Sequence, residues 1–324
     1  MLTKLGIIDK KLYKNKYYIK NKSISFVFKL FRFFFILGLS YLFLFPVFYM
    51  LSASLQSPLN VTDPSVIWIP KQISFVSFKN AIIGLSFVES AKLTGIITFF
   101  STLASLISCS LAGYAFARFK FRFKNLIFGF VILMILVPPQ TLVMSNYLNY
   151  RFFDFGGILS IFGKPLDLLG TPWVFILPSI FASGLRAGLF IFIFRQFFSG
   201  MPKDLEEAAR IDGCGIFKTF YKIMMPLAVP AFVTVLLFSI IWYWNDYYSS
   251  LIYFVGDIKP ISVMLQNLEG ALKLGGTIGQ STSPYVARMY IQAGALLTIL
   301  PPLVLYIFTQ RFFTESIERT GIVG

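Results

Sequence analysis

Between Leu205 and Leu227 the chain reads LEEAARIDGCGIFKTFYKIMMPL, a short charged segment set between long apolar runs. Its residue types suit recognition of a partner rather than bond-making. Glu206, Glu207 and Asp212 can accept hydrogen bonds, while Ala208 and Ala209 leave one helix face small enough for another surface to approach closely. Pro202 fits the opening of a short helix, and the run Lys203 to Arg210 contains good helix formers. Asp212-Gly213 is a turn signal, and Gly213 can adopt a backbone conformation that other residues resist. A second short helix, about Ile216 to Met224, would lead into Pro226 at the head of the next apolar run. The expected product is a rigid helical elbow. An ordinary amphipathic helix at the membrane interface would carry the same charges merely solvated. The segment also has a regular spacing: Glu207-Ala208-Ala209, three residues, Gly213, nine residues, Ile223, then Met225-Pro226.

Two further sets of residues could meet a solute. Trp242, Trp244, Asn245, Asp246 and Tyr247 fall together in WYWNDYY, which supplies aromatic faces and hydrogen-bonding groups at one place. The same block also fits an aromatic belt at the membrane interface. Arg186 sits near the middle of an apolar block. A charge at the bilayer centre costs roughly 2.5–3.5 kcal/mol, so it should face the bundle interior or water, bonding a hydroxyl or pairing with Asp246. Alternatively, Pro178 and Gly184 break the block and bring Arg186 to the outer surface or against backbone carbonyls. Arg195, nearer the inner end, is placed to snorkel. No catalytic cluster is visible. With no histidine and two cysteines, Cys109 and Cys214, a zinc site has almost no ligands to draw on. No glycine-rich loop precedes Lys-Ser/Thr, so the chain has no nucleotide-binding P-loop.

The elements that must position these residues are membrane spans. The chain is 56% hydrophobic and 13% charged, against about 25% charged in ordinary soluble domains. Six apolar blocks approach the roughly 20 residues a spanning helix needs: Phe33–Leu55, Leu93–Phe116, Leu126–Tyr147, Pro172–Phe198, Pro226–Trp244 and Met289–Gln310. The short alternating strands of a β-barrel are absent, so the expectation is an all-helical bundle. The first block is too long, and its basic lead-in too extended, for a cleaved signal peptide. Lys and Arg concentrate before the first block, in RFKFRFKN at 118–125, and around Lys203, Arg210, Lys218 and Lys222. That bias places both termini and the elbow in the cytoplasm. It also accounts for most of the net charge of +15 better than nucleic-acid binding does. Residues 1–25 form a basic arm, expected to be mobile or surface-bound and suited to anionic headgroups. Residues 56–92, 148–171 and 245–287 are expected outer segments. Trp68 suits an interface, and GGTIGQSTSP near residue 280 is flexible by composition. Pro138-Pro139 and Pro301-Pro302 are expected to kink their helices.

The elbow's spacing resembles the Glu-Ala-Ala loop of bacterial ATP-binding-cassette importer permeases, with Met225 where leucine is usual. FRQFFSGMPKDLEEAARIDG, WYWNDYY, VPPQTLV at 137–143 and the closing FTQRFFTESIERTGIVG are similar to segments of the carbohydrate uptake branch. The tail departs in having Val323 where lysine is usual. The similarity covers roughly residues 33–324. It implies the type I importer permease fold, a six-transmembrane-helix bundle in the bacterial cytoplasmic membrane with both termini inside. Residues 26–324 would be the permease domain, with the coupling loop at 200–225. It implies one half of a heterodimeric pore for a sugar or oligosaccharide, beside a second related permease. Two ATPase subunits would bind below and an extracytoplasmic solute-binding protein above. ATP and Mg would bind in the partner ATPase and no cofactor in this chain. Glu206, Glu207, Ala208, Ala209, Asp212 and Gly213 would couple to the ATPase, with Glu207 the polar contact, the alanines the close-packed surface and Gly213 the turn. Arg186, Trp242, Trp244, Asn245, Asp246 and Tyr247 would then lie on the sugar path. A permease for a non-sugar solute shares the loop. An ATP-independent secondary transporter would carry buried carboxylates for coupling ions, and the spans hold almost none.

Overall fold

The structure is a computed structural model of the chain. It describes residues 2–58, 70, 72–158, 161, 163, 165–276 and 284–321, with side chains between residues 26 and 310. Trp68, most of GGTIGQSTSP, and Val323 lie outside the described residues, as do the side chains of the basic arm and of the tail beyond residue 310.

Among the described residues the chain is helical, and its β structure is limited to two isolated bridges, Gln56↔Ile73 and Phe153↔Leu166. The first helix, α1 (Leu2–Leu55), joins the backbone of the basic arm to the first apolar block. After α2 (Val76–Gly84), α3 (Phe87–Arg118) runs past both ends of its block. The last helix, α14 (Pro284–Gly321), continues through Pro301 and Pro302 rather than stopping at them. Three helical stretches are long and apolar enough to cross a membrane: Phe26–Leu55, Phe87–Arg118 and Pro284–Gln310.

The other three apolar blocks are broken. In the third, α4 (Lys124–Leu136) and α5 (Pro139–Arg151) meet at 104°. Val137 and Pro138 between them are extended, with ψ of 121° and 130°, because a residue preceding proline is pushed out of the helical region. In the fourth, α6 (Trp173–Ile180) and α7 (Ala187–Gly200) are separated by a turn in which Ala182 and Arg186 take positive φ. In the fifth, α9 (Ile216–Leu227) meets α10 (Val229–Asn245) at 79°. Counting each bent pair as one span gives up to five. The longer helix of the fourth block, α7, has 14 residues and is about 21 Å long, short of the hydrocarbon thickness.

The expected outer segment 245–287 is mostly ordered helix: α11 (Tyr248–Tyr253), α12 (Ile261–Gln266) and α13 (Leu268–Leu274). Leu268 and Leu272 of α13 are buried against Ala81, Leu85 and Ala293.

The bundle inverts the pattern of a soluble protein. The buried face of α3 carries Ser90, Thr94, Thr98, Ser101, Ser105 and Gly113, while Phe99, Leu103 and Ile107 point outward. Lipid tails are as apolar as leucine, so helices associate through small residues that allow close packing and through interhelical hydrogen bonds. Ser239 Oγ donates to Thr102 Oγ1 across α10 and α3 at 3.0 Å, and Ser108 Oγ donates to the Ser179 carbonyl at 2.6 Å. Gly113 marks the tightest approach, since a Cβ there would lie 2.5 Å from Phe194 Cβ and 2.9 Å from the Arg195 backbone nitrogen. Gly113→Leu is therefore expected to separate α3 from α7 and to destabilise the chain by at least the 1–3 kcal/mol typical of overpacking. Thermal unfolding of the purified protein in detergent checks this. Gly129→Leu, at a position with open space around it, serves as the control and should leave the transition unchanged.

Candidate functional site

The elbow is built on α8 (Asp204–Ile211). Its first turn holds Asp204, Glu206 and Glu207, where carboxylates complement the positive end of the helix dipole. Pro202 lies just before it, and the Glu206 and Glu207 backbone N–H groups donate to the Lys203 carbonyl. The helix stops at Gly213, whose φ is +73°. The Gly213 N–H donates to the Arg210 carbonyl at 3.0 Å and the Cys214 N–H to the Ala209 carbonyl at 2.8 Å. This pair of bonds around a left-handed residue is the Schellman closure, which satisfies carbonyls that the helix end would otherwise leave open. A Cβ on Gly213 would meet nothing within 4 Å, so glycine is required there for its conformation and not for space. Beyond the turn, α9 contains a π-helical turn at Phe220–Met224 before the bend into α10.

The six residues singled out from the sequence fall on two faces of this elbow. Glu206 and Ala209 turn inward. Ala209 is 2% exposed, and Glu206 Oε1 lies 3.4 Å from Arg118 Nε at the end of α3, with the two side chains 12% and 5% exposed. Arg118 Nη2 donates to the Met201 carbonyl at 2.8 Å. Glu206 is thus an internal anchor. Glu207, Ala208, Asp212 and Gly213 are exposed. The sequence reading missed two residues on this side, Ile211 at 86% and Phe217 at 79% exposure. Large apolar residues flanking the glycine turn of an otherwise charged segment were the available signal.

The second set gathers at the far end of α10, a 17-residue helix about 25 Å long. Arg186, Trp242, Asn245, Asp246 and Tyr247 line one cleft of ≈ 280 Å³, with Gln140 at its edge. Trp244 does not. It is buried on another face of α10, where its Nε1–H donates to the Thr298 carbonyl of α14 at 3.0 Å, so its role is to hold two helices together. The Arg186–Asp246 pair, one of the alternatives for Arg186, does not form either. The Asp246 carboxylate accepts from Ser249 Oγ, from the Ser250 N–H and from Ser250 Oγ at 2.8–3.1 Å, fastening the start of α11. Arg186 instead lies over Trp242, with its guanidinium carbon 5.4 Å from the ring centroid. Arg195 makes a similar contact with Phe128 at 3.9 Å.

Arg186 owes its position to a residue that the sequence did not single out. It occupies the left-handed region, φ 60° and ψ 20°, a conformation that costs on the order of 1–3 kcal/mol unless the surroundings impose it. The surroundings do. The buried Tyr243 hydroxyl lies 2.7 Å from Ser179 Oγ and accepts the Leu185 N–H at 3.1 Å. On the other side, the Leu189 and Phe190 N–H groups donate to the Arg186 carbonyl. Gly184 fits because a Cβ there would lie 2.6 Å from the Tyr243 hydroxyl.

Residues 106–317 match the family described as binding-protein-dependent transport system inner membrane component. The chain belongs to this family. It is an integral membrane permease subunit of the ATP-binding-cassette importer type. Among its relatives, the melibiose/raffinose/stachyose import permease protein MelC of Bacillus subtilis is 31% identical over 284 residues, covering 86% of this chain and 91% of MelC. The osmoprotective compounds uptake permease protein GgtD of Synechocystis is 30% identical over 219 residues, 67% of this chain and 64% of its own. A solved bacterial ABC transporter involved in import of the acidic polysaccharide alginate shares the fold, with TM-score 0.68 over 89% of this chain and 96% of that one, at 22% identity. The helical architecture of the permease, with its broken spans, is therefore that of the importer fold. Membership of the family also removes the ion-coupled secondary transporter from consideration.

Proposed function

We propose that this permease forms one half of a heterodimeric pore for a sugar or oligosaccharide and is driven by ATPase subunits that dock on the α8 elbow. The observation that carries the docking assignment is the two-faced construction of α8. Glu206 and Ala209 fix the helix to its own chain, and Glu207, Ala208, Ile211 and Phe217 are left exposed. A helix held from behind and exposed in front suits the transmission of a rigid-body motion. The Schellman turn and α9 would pass that motion to α10, whose far end reaches the cleft. ATP and Mg would bind in the partner chains, with no cofactor here. A second permease would complete the pore, and an extracytoplasmic binding protein would deliver the solute. Both termini and the elbow would be cytoplasmic.

The import role named for MelC supports the sugar assignment. The name of GgtD keeps a small non-sugar osmolyte as the second reading. Reconstitution of both permeases, the ATPase and the binding protein in liposomes decides between them. Binding-protein-dependent ATP hydrolysis and uptake are expected with members of a neutral and acidic oligosaccharide panel. Stimulation by non-sugar osmolytes alone would overturn the sugar assignment.

A further inference from the structure

We infer that the Arg186 cleft is a binding site for one carboxylate-bearing sugar unit, with the guanidinium selecting the acid over its neutral counterpart. The inference rests on the sugar importer reading and adds the charge class of the substrate. It starts from the charges that line the cleft, Arg186 and Asp246. Asp246 is committed, because its two oxygens accept three hydrogen bonds from Ser249 and Ser250. Arg186 has no carboxylate within ion-pair distance among the described residues, and it rests on the Trp242 face. The cleft therefore holds, beside the serine-bonded Asp246 carboxylate, a guanidinium that is not engaged in an ion pair among the described residues.

The placement of that cation is set by the fold. Tyr243 holds the Leu185 N–H, two α7 N–H groups hold the Arg186 carbonyl, and Trp242 is itself packed by Phe190 and Phe238 at 5.7 and 5.4 Å between centroids. A planar guanidinium on a preset backbone matches a carboxylate through two parallel N–H donors. The remaining lining suits a sugar ring. Asn245 Nδ2 is engaged with the Ile241 carbonyl at 2.8 Å, which leaves its amide oxygen as an acceptor for a hydroxyl, and Tyr247 offers an exposed ring. A volume of ≈ 280 Å³ has room for one sugar ring. A neutral sugar could use Asn245 and Tyr247 but would leave the guanidinium without a partner. A phosphate ester would share the anionic chemistry, and the test separates it.

The assembled transporter, with its partner permease and ATPases in nanodiscs, is titrated with digalacturonate, with the neutral digalactose of the same linkage, and with galactose 6-phosphate. Tryptophan fluorescence is the readout, and Trp242→Phe identifies the signal from the cleft. Digalacturonate is expected to give a saturable change with a Kd at least tenfold below that of digalactose. Arg186→Gln should erase that difference, while Arg186→Lys, a point charge without the fork, should keep the preference at weaker affinity. Equal affinities in the unsubstituted protein, no saturable response to either saccharide, or a preference retained by Arg186→Gln would overturn the site. Tighter binding of the phosphate ester would overturn the carboxylate assignment. Should the glutamine variant fail to assemble, the saccharide comparison and Arg186→Lys decide. Uptake of neutral sugars into liposomes is measured alongside. If those sugars are moved while the titration fails, the importer reading stands and the cleft site falls. A transporter that moves no sugar removes both.

Discussion

Gly213→Val is expected to abolish solute-stimulated ATP hydrolysis and uptake while leaving the permease inserted and assembled with its partner permease. The residue stands at φ +73°, and two hydrogen bonds that close α8, from Gly213 to Arg210 and from Cys214 to Ala209, depend on that conformation. An L-residue there costs roughly 1–2 kcal/mol, and a β-branched one is a true outlier. Space is not the obstacle, because nothing lies within 4 Å of the position a Cβ would occupy. The strain would be relieved by unwinding the last turn of α8, which carries Ala208 and Ile211 on the proposed docking face. Uptake should fall by more than tenfold, in line with loss of a surface that must be presented as a unit. Gly213→Asn gives the complementary arm, since asparagine tolerates the left-handed region better than other side chains, and it should retain a large part of the activity. Unchanged uptake in the valine variant would count against the elbow as the site of coupling.

Glu206→Ala is expected to be the more damaging substitution for stability. It removes the partner of Arg118, whose side chain is 5% exposed, and breaking a buried pair from one side costs about 3–5 kcal/mol. The same change releases the contact that fixes α8 to the end of α3, so stability and transport should fall together. Arg118→Met with Glu206→Met removes both charges. It is expected to recover most of the thermal stability, because apolar residues of similar volume often replace a buried ion pair without loss. A double-mutant cycle on the unfolding transition measures the coupling, and a value near zero would show that the two side chains do not act as a pair. Glu207→Ala makes the contrast. Its side chain is exposed, so stability should be untouched while ATPase-coupled uptake drops.

The sequence by itself settled the class of molecule and the place of its elbow. Long uncharged runs have no solvent other than lipid, and one helix-turn-helix segment between them carries charge and a glycine at a fixed interval. Those are one-dimensional facts, because hydropathy and the backbone freedom of Gly213 are properties of residues in order. The Pro138-Pro139 break was legible for the same reason, since its cause is the covalent structure of proline. What the sequence left open depended on rotation and on partners distant along the chain. Nothing in LEEAARIDG tells which glutamate turns toward Arg118, because the choice is made by the end of α3. Pro301 and Pro302 differ in outcome from Pro138 and Pro139, since α14 remains helical through them. An ion pair was one of the arrangements the sequence left open to Arg186 and Asp246. Tertiary structure separated them by giving Asp246 to the serines of α11 and by letting Tyr243, through the Leu185 N–H, set the strained turn that presents Arg186. Composition and spacing can announce a lipid-spanning lever with a charged elbow; which side chains face inward to hold it and which remain free to bind is decided only when helices from distant parts of the chain compete for the same hydrogen bonds.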